Sequence, residues 1–106
     1  MRMQISSASR ASSYFATKVI TTSRLQLLGP DANRTAIIFC PPNGANITLS
    51  PDPNLVANQG LLIRTTDHAY PLTREMFGEL VRGPWYGITS SGTATITAFA
   101  SSAGDR

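Results

Sequence analysis

The chain carries little charge and few residues that do chemistry. Only 14% of its 106 residues are charged, against roughly 25% in an ordinary soluble domain. Its single cysteine, Cys40, excludes an intrachain disulfide and lies in the apolar run "AIIFC", where we expect it to be buried. One cysteine and one histidine do not supply a spaced set of metal ligands. We therefore expect no metal site and no cofactor.

Combinations of residues typical of catalysis are also missing. His68 follows Asp67, but adjacent residues of a strand or loop usually point apart, so no catalytic triad is indicated. Glu75 and Glu79 are four residues apart and flanked by arginines, which favours a solvated charge cluster over a pair of catalytic carboxylates. We expect His68 in a surface loop, and we predict that the protein is not an enzyme.

The basic residues are spread along the chain. The net charge is +3, and eight of the nine basic residues are arginines. This bias fits contacts at protein interfaces, although codon bias explains it equally well. Because the arginines form no cluster, we expect no nucleic-acid partner. The opening "MRMQISSASRASS" has no apolar segment of the kind found in a signal peptide or a membrane span, so we expect synthesis in the cytoplasm and no membrane partner.

Short apolar segments separated by turn residues make up most of the chain. Segments such as "YFATKVITTS", "TAIIFC", "NITLS", "LLIRTT", "PWYGIT" and "TATITAFA" read as strands. Thr73 is suited to cap one helical turn containing Glu75, and Gly78 weakens any longer helix. The sequence therefore predicts an all-β fold: an antiparallel, jelly-roll-like β-sandwich of about seven to eight short strands. We expect one domain over residues 14–106, after an extended arm over residues 1–13 that is either disordered or ordered by a partner.

Two turns predict hairpins. "PPNG" should join "TAIIFC" to "NITLS" with Gly44 at positive φ, and "SSG" should join "PWYGIT" to "TATITAFA". We expect Ile38 to be buried on the second face of a doubly covered strand, and the Thr-rich face of "TATITAFA" to pack against another chain. The residues predicted to form the core are Ile37, Phe39, Ile47, Leu62, Ile88 and Ile96.

Several side chains are candidates for contact with a partner. Trp85 and Tyr86 are adjacent at a strand start, so one should face the core and the other the opposite surface. An exposed aromatic ring there stacks on sugars or anchors a protein interface. The predicted interface residues are Arg2, Arg10, Tyr14, Arg82, Trp85 and Tyr86.

The order of segments resembles small virion proteins of tailed bacteriophages. The resemblance rests on "LLGPDANRTAIIFCPP", "NITLSPDP", "GLLIRTT", "YPLT", "GELVRGPWYGIT" and "TATITAFA", and it spans roughly Leu25 to Ala100. It implies a decoration or cement protein on the capsid exterior, forming a dimer or trimer and bound to the major capsid protein or other virion subunits. It implies no catalytic residues. Two alternatives remain: a head fibre, adaptor or tail part, and a carbohydrate-binding module with Trp85 or Tyr86 as its platform.

Overall fold

The computed structural model describes residues 12–102, which form two four-stranded antiparallel sheets packed as a sandwich. The front sheet has the order β1 (Ser12–Ile20), β8 (Ala94–Ser102), β3 (Arg34–Phe39) and β6 (Tyr70–Thr73). The back sheet has the order β2 (Leu25–Leu28), β7 (Trp85–Thr89), β4 (Ile47–Ser50) and β5 (Leu61–Ile63). The predicted antiparallel β-sandwich is confirmed.

The pairing of the strands is that of a rolled-up hairpin. β1 pairs with β8, β2 with β7, β3 with β6 and β4 with β5, all antiparallel. The chain changes sheet at nearly every connection, and only β4 and β5 are neighbours both along the chain and within a sheet. This is the arrangement of an eight-stranded jelly roll.

Both predicted hairpins are therefore wrong. β3 and β4 lie in different sheets, and so do β7 and β8. At the first turn, the backbone of Asn43 exchanges two hydrogen bonds of 2.9 Å with Thr95 of β8, so the turn is held against the front sheet while the chain crosses over. Gly44 has the predicted positive φ, 114°, and a Cβ there would lie 2.7 Å from the Thr93 carbonyl oxygen. Glycine is thus required where the crossing chain passes close to the backbone before β8.

The structure confirms most of the residues predicted to be buried and corrects two of them. Ile37, Phe39, Ile47 and Ile96 are buried in the interior cluster. The prediction that Leu62 lies in the core is wrong. Leu62 is 43% exposed, because it pairs with Thr48 on the outer side of the back sheet while its neighbours face inward. The prediction that Ile38 is buried is also wrong. Ile38 is 41% exposed, because no other described element covers its side of the front sheet.

The segment of residues 51–60 folds over the outer face of the back sheet. Leu55 is buried, and the Asn58 amide donates a 2.9 Å hydrogen bond to Thr48 Oγ1. Thr48 and its cross-strand neighbour Ile88 lie on the outer side, yet both are buried. Ile88 is therefore buried as predicted, but on the outer side of its sheet. A Cβ on Gly60 would lie 2.7 Å from the Leu49 carbonyl oxygen, which fixes how closely the segment returns to the sheet.

A single helical turn, α1 (Arg74–Phe77), follows β6 and continues as a 3-10 turn (Gly78–Val81). Thr73 caps α1 by accepting a 3.3 Å hydrogen bond from the Met76 amide, and Gly78 ends it at φ 61°. Both features were predicted. Within residues 12–102, no helix is long and apolar enough to cross a membrane.

The structure also tests part of the predicted arm and the predicted positions of Cys40 and His68. β1 begins at Ser12, two residues before the predicted start of the domain at Tyr14, and residues 1–11 lie outside the described part of the chain. Cys40 is half-buried rather than fully buried, since it lies just beyond the end of β3. His68 is exposed in a loop, as predicted.

Candidate functional site

An apolar row crosses the outer side of the front sheet. The strand register places Phe15 opposite Phe99, Phe99 opposite Ile38, and Ile38 opposite Pro71, so one row runs through all four strands. Phe15, Phe99 and Ile38 are 65%, 47% and 41% exposed. The two phenylalanine rings lie 5.7 Å apart between centroids, which is contact distance for an aromatic pair. Large apolar side chains in a contiguous row are typical of a surface that another molecule covers.

The rows on either side contain only small or hydroxyl-bearing residues and one valine. With the apolar row they make up the front face, which we define as Ser13, Phe15, Thr17, Val19, Ala36, Ile38, Pro71, Thr73, Thr95, Thr97, Phe99 and Ser101. None of these residues carries a formal charge. Thr17 and Thr97 share a 2.9 Å hydrogen bond, so part of the hydroxyl polarity is already satisfied within the sheet. Desolvation of this face therefore costs little free energy compared with a charged surface.

A shallow cavity interrupts the front face beside the apolar row. It measures about 210 Å³ and is lined by Ser13, Ala36, Ile38, Phe99, Ala100 and Ser101. Small side chains at Ala36 and Ser101 make the depression, and the larger Ile38 and Phe99 form its wall. A cavity of this size accepts one protruding apolar side chain of a partner.

A buried arginine holds the edge of the front sheet in place. Arg34 is 1% exposed, and its guanidinium donates hydrogen bonds to the carbonyl oxygens of Val81 (3.0 Å), Gly83 (2.9 Å) and Gly29 (2.6 Å). Its Nε donates to the Tyr14 hydroxyl oxygen at 3.0 Å. One side chain thus joins β1, the connection after β2 and the chain before β7. This arginine stabilises the scaffold, because its guanidinium is committed to these four hydrogen bonds.

Tyr14 and Asp31 complete that network. The Tyr14 hydroxyl donates a 2.9 Å hydrogen bond to Asp31 Oδ2. Burial raises the pKa of Tyr14, against the opposing effect of Arg34. Burial alone would raise the pKa of Asp31, but hydrogen bonds from the Asn33 amide and the Tyr14 hydroxyl outweigh it, and the pKa lies below its usual value. At neutral pH the pair is therefore a neutral phenol and a carboxylate.

An open groove of about 380 Å³ lies beside this network, between β1 and the end of β2. Tyr14, Lys18, Asp31 and Arg34 supply its polar groups. Lys18 is exposed and makes no ion pair within residues 12–102. The groove thus has one unpaired ammonium group at one end and one carboxylate at the other.

Among the predicted interface residues that the structure describes, Trp85 is buried, and Tyr14, Arg82 and Tyr86 are half-buried. Trp85 is 4% exposed, packs on Phe39 with ring centroids 5.4 Å apart, and donates from Nε1 to the Leu80 carbonyl oxygen at 3.0 Å. It is a core residue and offers no surface ring. Tyr86 is half-buried on the outer side of the back sheet, as expected for the neighbour of a core residue.

Arg82 is the one predicted interface arginine within residues 12–102. Arg82 pairs with Glu79 at 3.4 Å, and Glu79 also lies 3.8 Å from Arg74, which agrees with a surface charge cluster. Arg2 and Arg10 lie outside the described residues. Tyr14 is partly exposed at the sheet edge, within the Arg34 network.

No group of three or more histidine, cysteine, aspartate or glutamate side chains that could hold a metal ion occurs in the described part of the chain. Asp67, next to His68, pairs with Arg64 at 3.3 Å. Comparisons of the chain with protein-family models, with curated proteins and with solved structures give no match. The front face is therefore the feature of the described structure that bears most on function.

Proposed function

We propose that the protein is a non-enzymatic structural subunit of a tailed-bacteriophage particle, bound to the capsid exterior through its front face. The observation that carries this proposal is the uncharged front face with its exposed row of Phe15, Phe99 and Ile38. The resemblance to small virion proteins supplies the biological setting. Jelly rolls occur in viral capsid and lectin domains, but a fold alone does not specify a function, so the surface matters more than the topology.

The size of the front face suits a repeated, individually modest contact. Standard strand spacings give it about 20 Å along the strands and about 15 Å across them. This is below the roughly 800 Å² per partner of a stable pairwise interface. A decoration protein gains affinity from several linked copies on a symmetric shell, so one small contact per copy is sufficient.

The alternative function is that of a carbohydrate-binding module. It requires Trp85 or Tyr86 as a stacking platform for sugars, but the Trp85 ring lies in the core against Phe39. Tyr86 is half-buried and by itself gives a small platform. Co-sedimentation with insoluble glycans tests this alternative directly, and our proposal expects no binding.

Co-sedimentation with particles tests the proposal. Purified protein should bind saturably to heads of the encoding phage that were assembled without it. Phe99→Asp places a charge in the apolar row and should weaken binding at least about tenfold, since an unpaired charge is costly at a desolvated contact. Leu62→Asp is the matched control, because Leu62 is also exposed, at 43%, but lies on the outer side of the back sheet, across the sandwich from the front face.

Two results would count against the proposal. One is the absence of the wild-type chain from purified particles and from the co-sedimented fraction. The other is equal loss of binding by the two variants while both retain the wild-type melting curve, which would place the contact elsewhere.

A further inference from the structure

The two sheets end in four edge strands within residues 12–102, and three of these edges are protected against pairing. β6 has four residues, includes Pro71 and runs directly into α1. β2 also has four residues, and its register shifts between Gln26 and Leu28. β5 has only three residues. Short length, proline and irregular register are three of the devices that prevent edge-to-edge association, and a charged side chain such as lysine is another.

β1 has none of the first three protections, and a single lysine, Lys18, is its one charged side chain. It is nine residues long, against about five to six in an average strand. Its register with β8 is unbroken from Ser12 opposite Ser102 to Ile20 opposite Ala94. Its sequence, "SSYFATKVI", has no proline or glycine, and Lys18 is its only charged residue. No described strand pairs with its other side. A long, regular and weakly charged edge is a ready template for another strand.

We propose that β1 pairs with β1 of a second copy of this chain, antiparallel and about a twofold axis at Ala16. This register overlaps all nine residues of each strand and joins the two front sheets into one of eight strands. A twofold axis makes the contact self-complementary, because the contact of one residue with a second residue of the other copy is repeated with the two copies exchanged. Nine paired residues give about eight to ten main-chain hydrogen bonds, which is the number in a typical protein interface.

The charges along the edge fit this register. With Ala16 on the axis, Lys18 of the second copy lies opposite Tyr14, whose hydroxyl donates to Asp31. Tyr14 and Lys18 point to the same side of β1 and line the same groove as Asp31. The unpaired ammonium group of each copy is thereby brought to the carboxylate of the other, and the contact is repeated by symmetry. A parallel arrangement of the two strands places Lys18 beside Lys18 and loses this match.

The same register extends the front face. Phe15 lies opposite Thr17 of the second copy, and the two Phe15 side chains are diagonal neighbours, within reach of each other across the axis. The apolar row of one copy then continues into that of the other. This inference does not depend on the proposed function, because the pairing uses only the edge of β1 and needs no capsid.

Disulfide trapping tests the register in the full chain carrying Cys40→Ala. Ala16→Cys places two cysteines opposite each other on the axis, about 4.5–5.5 Å apart between Cα atoms, within the span of about 4.4–6.8 Å that a disulfide bridges. Ser13→Cys is the control, since this register pairs residue 13 with residue 19 and separates the two new cysteines by about 20 Å. We expect rapid cross-linking of the first variant and almost none of the second. Equal cross-linking of both, or of neither, overturns the proposal.

Sedimentation equilibrium of the unmodified chain and of two charge variants gives the second test. The wild-type chain should reach twice the monomer mass with rising concentration. Lys18→Glu should raise the dissociation constant at least about tenfold, because each copy then sets a glutamate against Asp31. Arg64→Glu is the control: this exposed cation lies at the end of β5, outside the interface, and the dimer should persist. A wild-type monomer at all concentrations, or a dimer indifferent to Lys18→Glu, contradicts the pairing.

Discussion

The two outer faces of the sandwich differ in what covers them. Outside the back sheet, residues 51–60 lie over the side on which Thr48 and Ile88 are buried, although Leu62 on the edge strand is 43% exposed. Outside the front sheet, no described element covers Phe15, Ile38 or Phe99. Both faces carry apolar side chains, yet only the back face is partly covered by another segment of the described fold. This difference is why we assign stability to the covered part of the back face and propose association for the front face.

The largest expected effect distinguishes a phenylalanine of the core from one of the front face. Phe39→Ala should cost about 3–5 kcal/mol of unfolding free energy, because it leaves a cavity beside Trp85. Phe99→Ala should cost less than about 1 kcal/mol, because its side chain is 47% exposed. Chemical denaturation of both variants measures the difference. A loss below about 1 kcal/mol for Phe39→Ala would show that the front sheet is not packed as described.

A smaller effect tests the cover over the back sheet. Leu55→Ala should destabilise the protein by about 2–3 kcal/mol, since Leu55 is buried over the outer side of that sheet. Val56→Ala is the matched control: Val56 is 52% exposed, so its truncation should change stability by less than about 0.5 kcal/mol. Thermal or urea melts compare the two. Equal, small losses would mean that residues 51–60 are dispensable for stability and that the two faces do not differ as we describe.

The smallest effect concerns the acid response of the network at the edge of β1. The folded-state pKa of Asp31 is lowered, so Asp31 contributes stability above its unfolded pKa and loses that contribution as pH falls through the folded value. The stability advantage of the wild type over Asp31→Asn should thus be full near neutral pH and shrink below about pH 4. Melting temperatures across that range check the sign. An advantage that grows on acidification would contradict the assignment of Asp31 as a carboxylate bound by Tyr14.

Local patterns in the sequence were sufficient for the fold class and for single turns. Alternation of apolar residues marked the inward side of β8 and β4, and Thr73 and Gly78 marked the two ends of α1. The need for positive φ at Gly44 was also evident. The partners of the strands were not, because the same turn residues serve a hairpin and a crossing between sheets. Pairing between residues far apart in the chain, such as Asn43 with Thr95, distinguishes the two.

The sequence predicted less of the candidate site than of the fold. Apolar residues on both faces of "TAIIFC" predicted a doubly covered strand, and the structure leaves Ile38 uncovered among the described residues. The alternation of Phe15, Thr17 and Val19 was visible, but which side of β1 faces the core depends on β8. The sequence did not indicate that Arg34 is buried, because its carbonyl partners at Val81 and Gly83 come from a distant segment.

A reconstruction of the particle with the protein bound tests the central claim most directly. Our account predicts that the front face, with Phe15, Ile38 and Phe99, lies against another subunit, while the segment of residues 51–60 over the back sheet, with the exposed Val56, faces solvent. A reconstruction in which Phe15, Ile38 and Phe99 face solvent, and the contact with the shell is made by the back side instead, would contradict it.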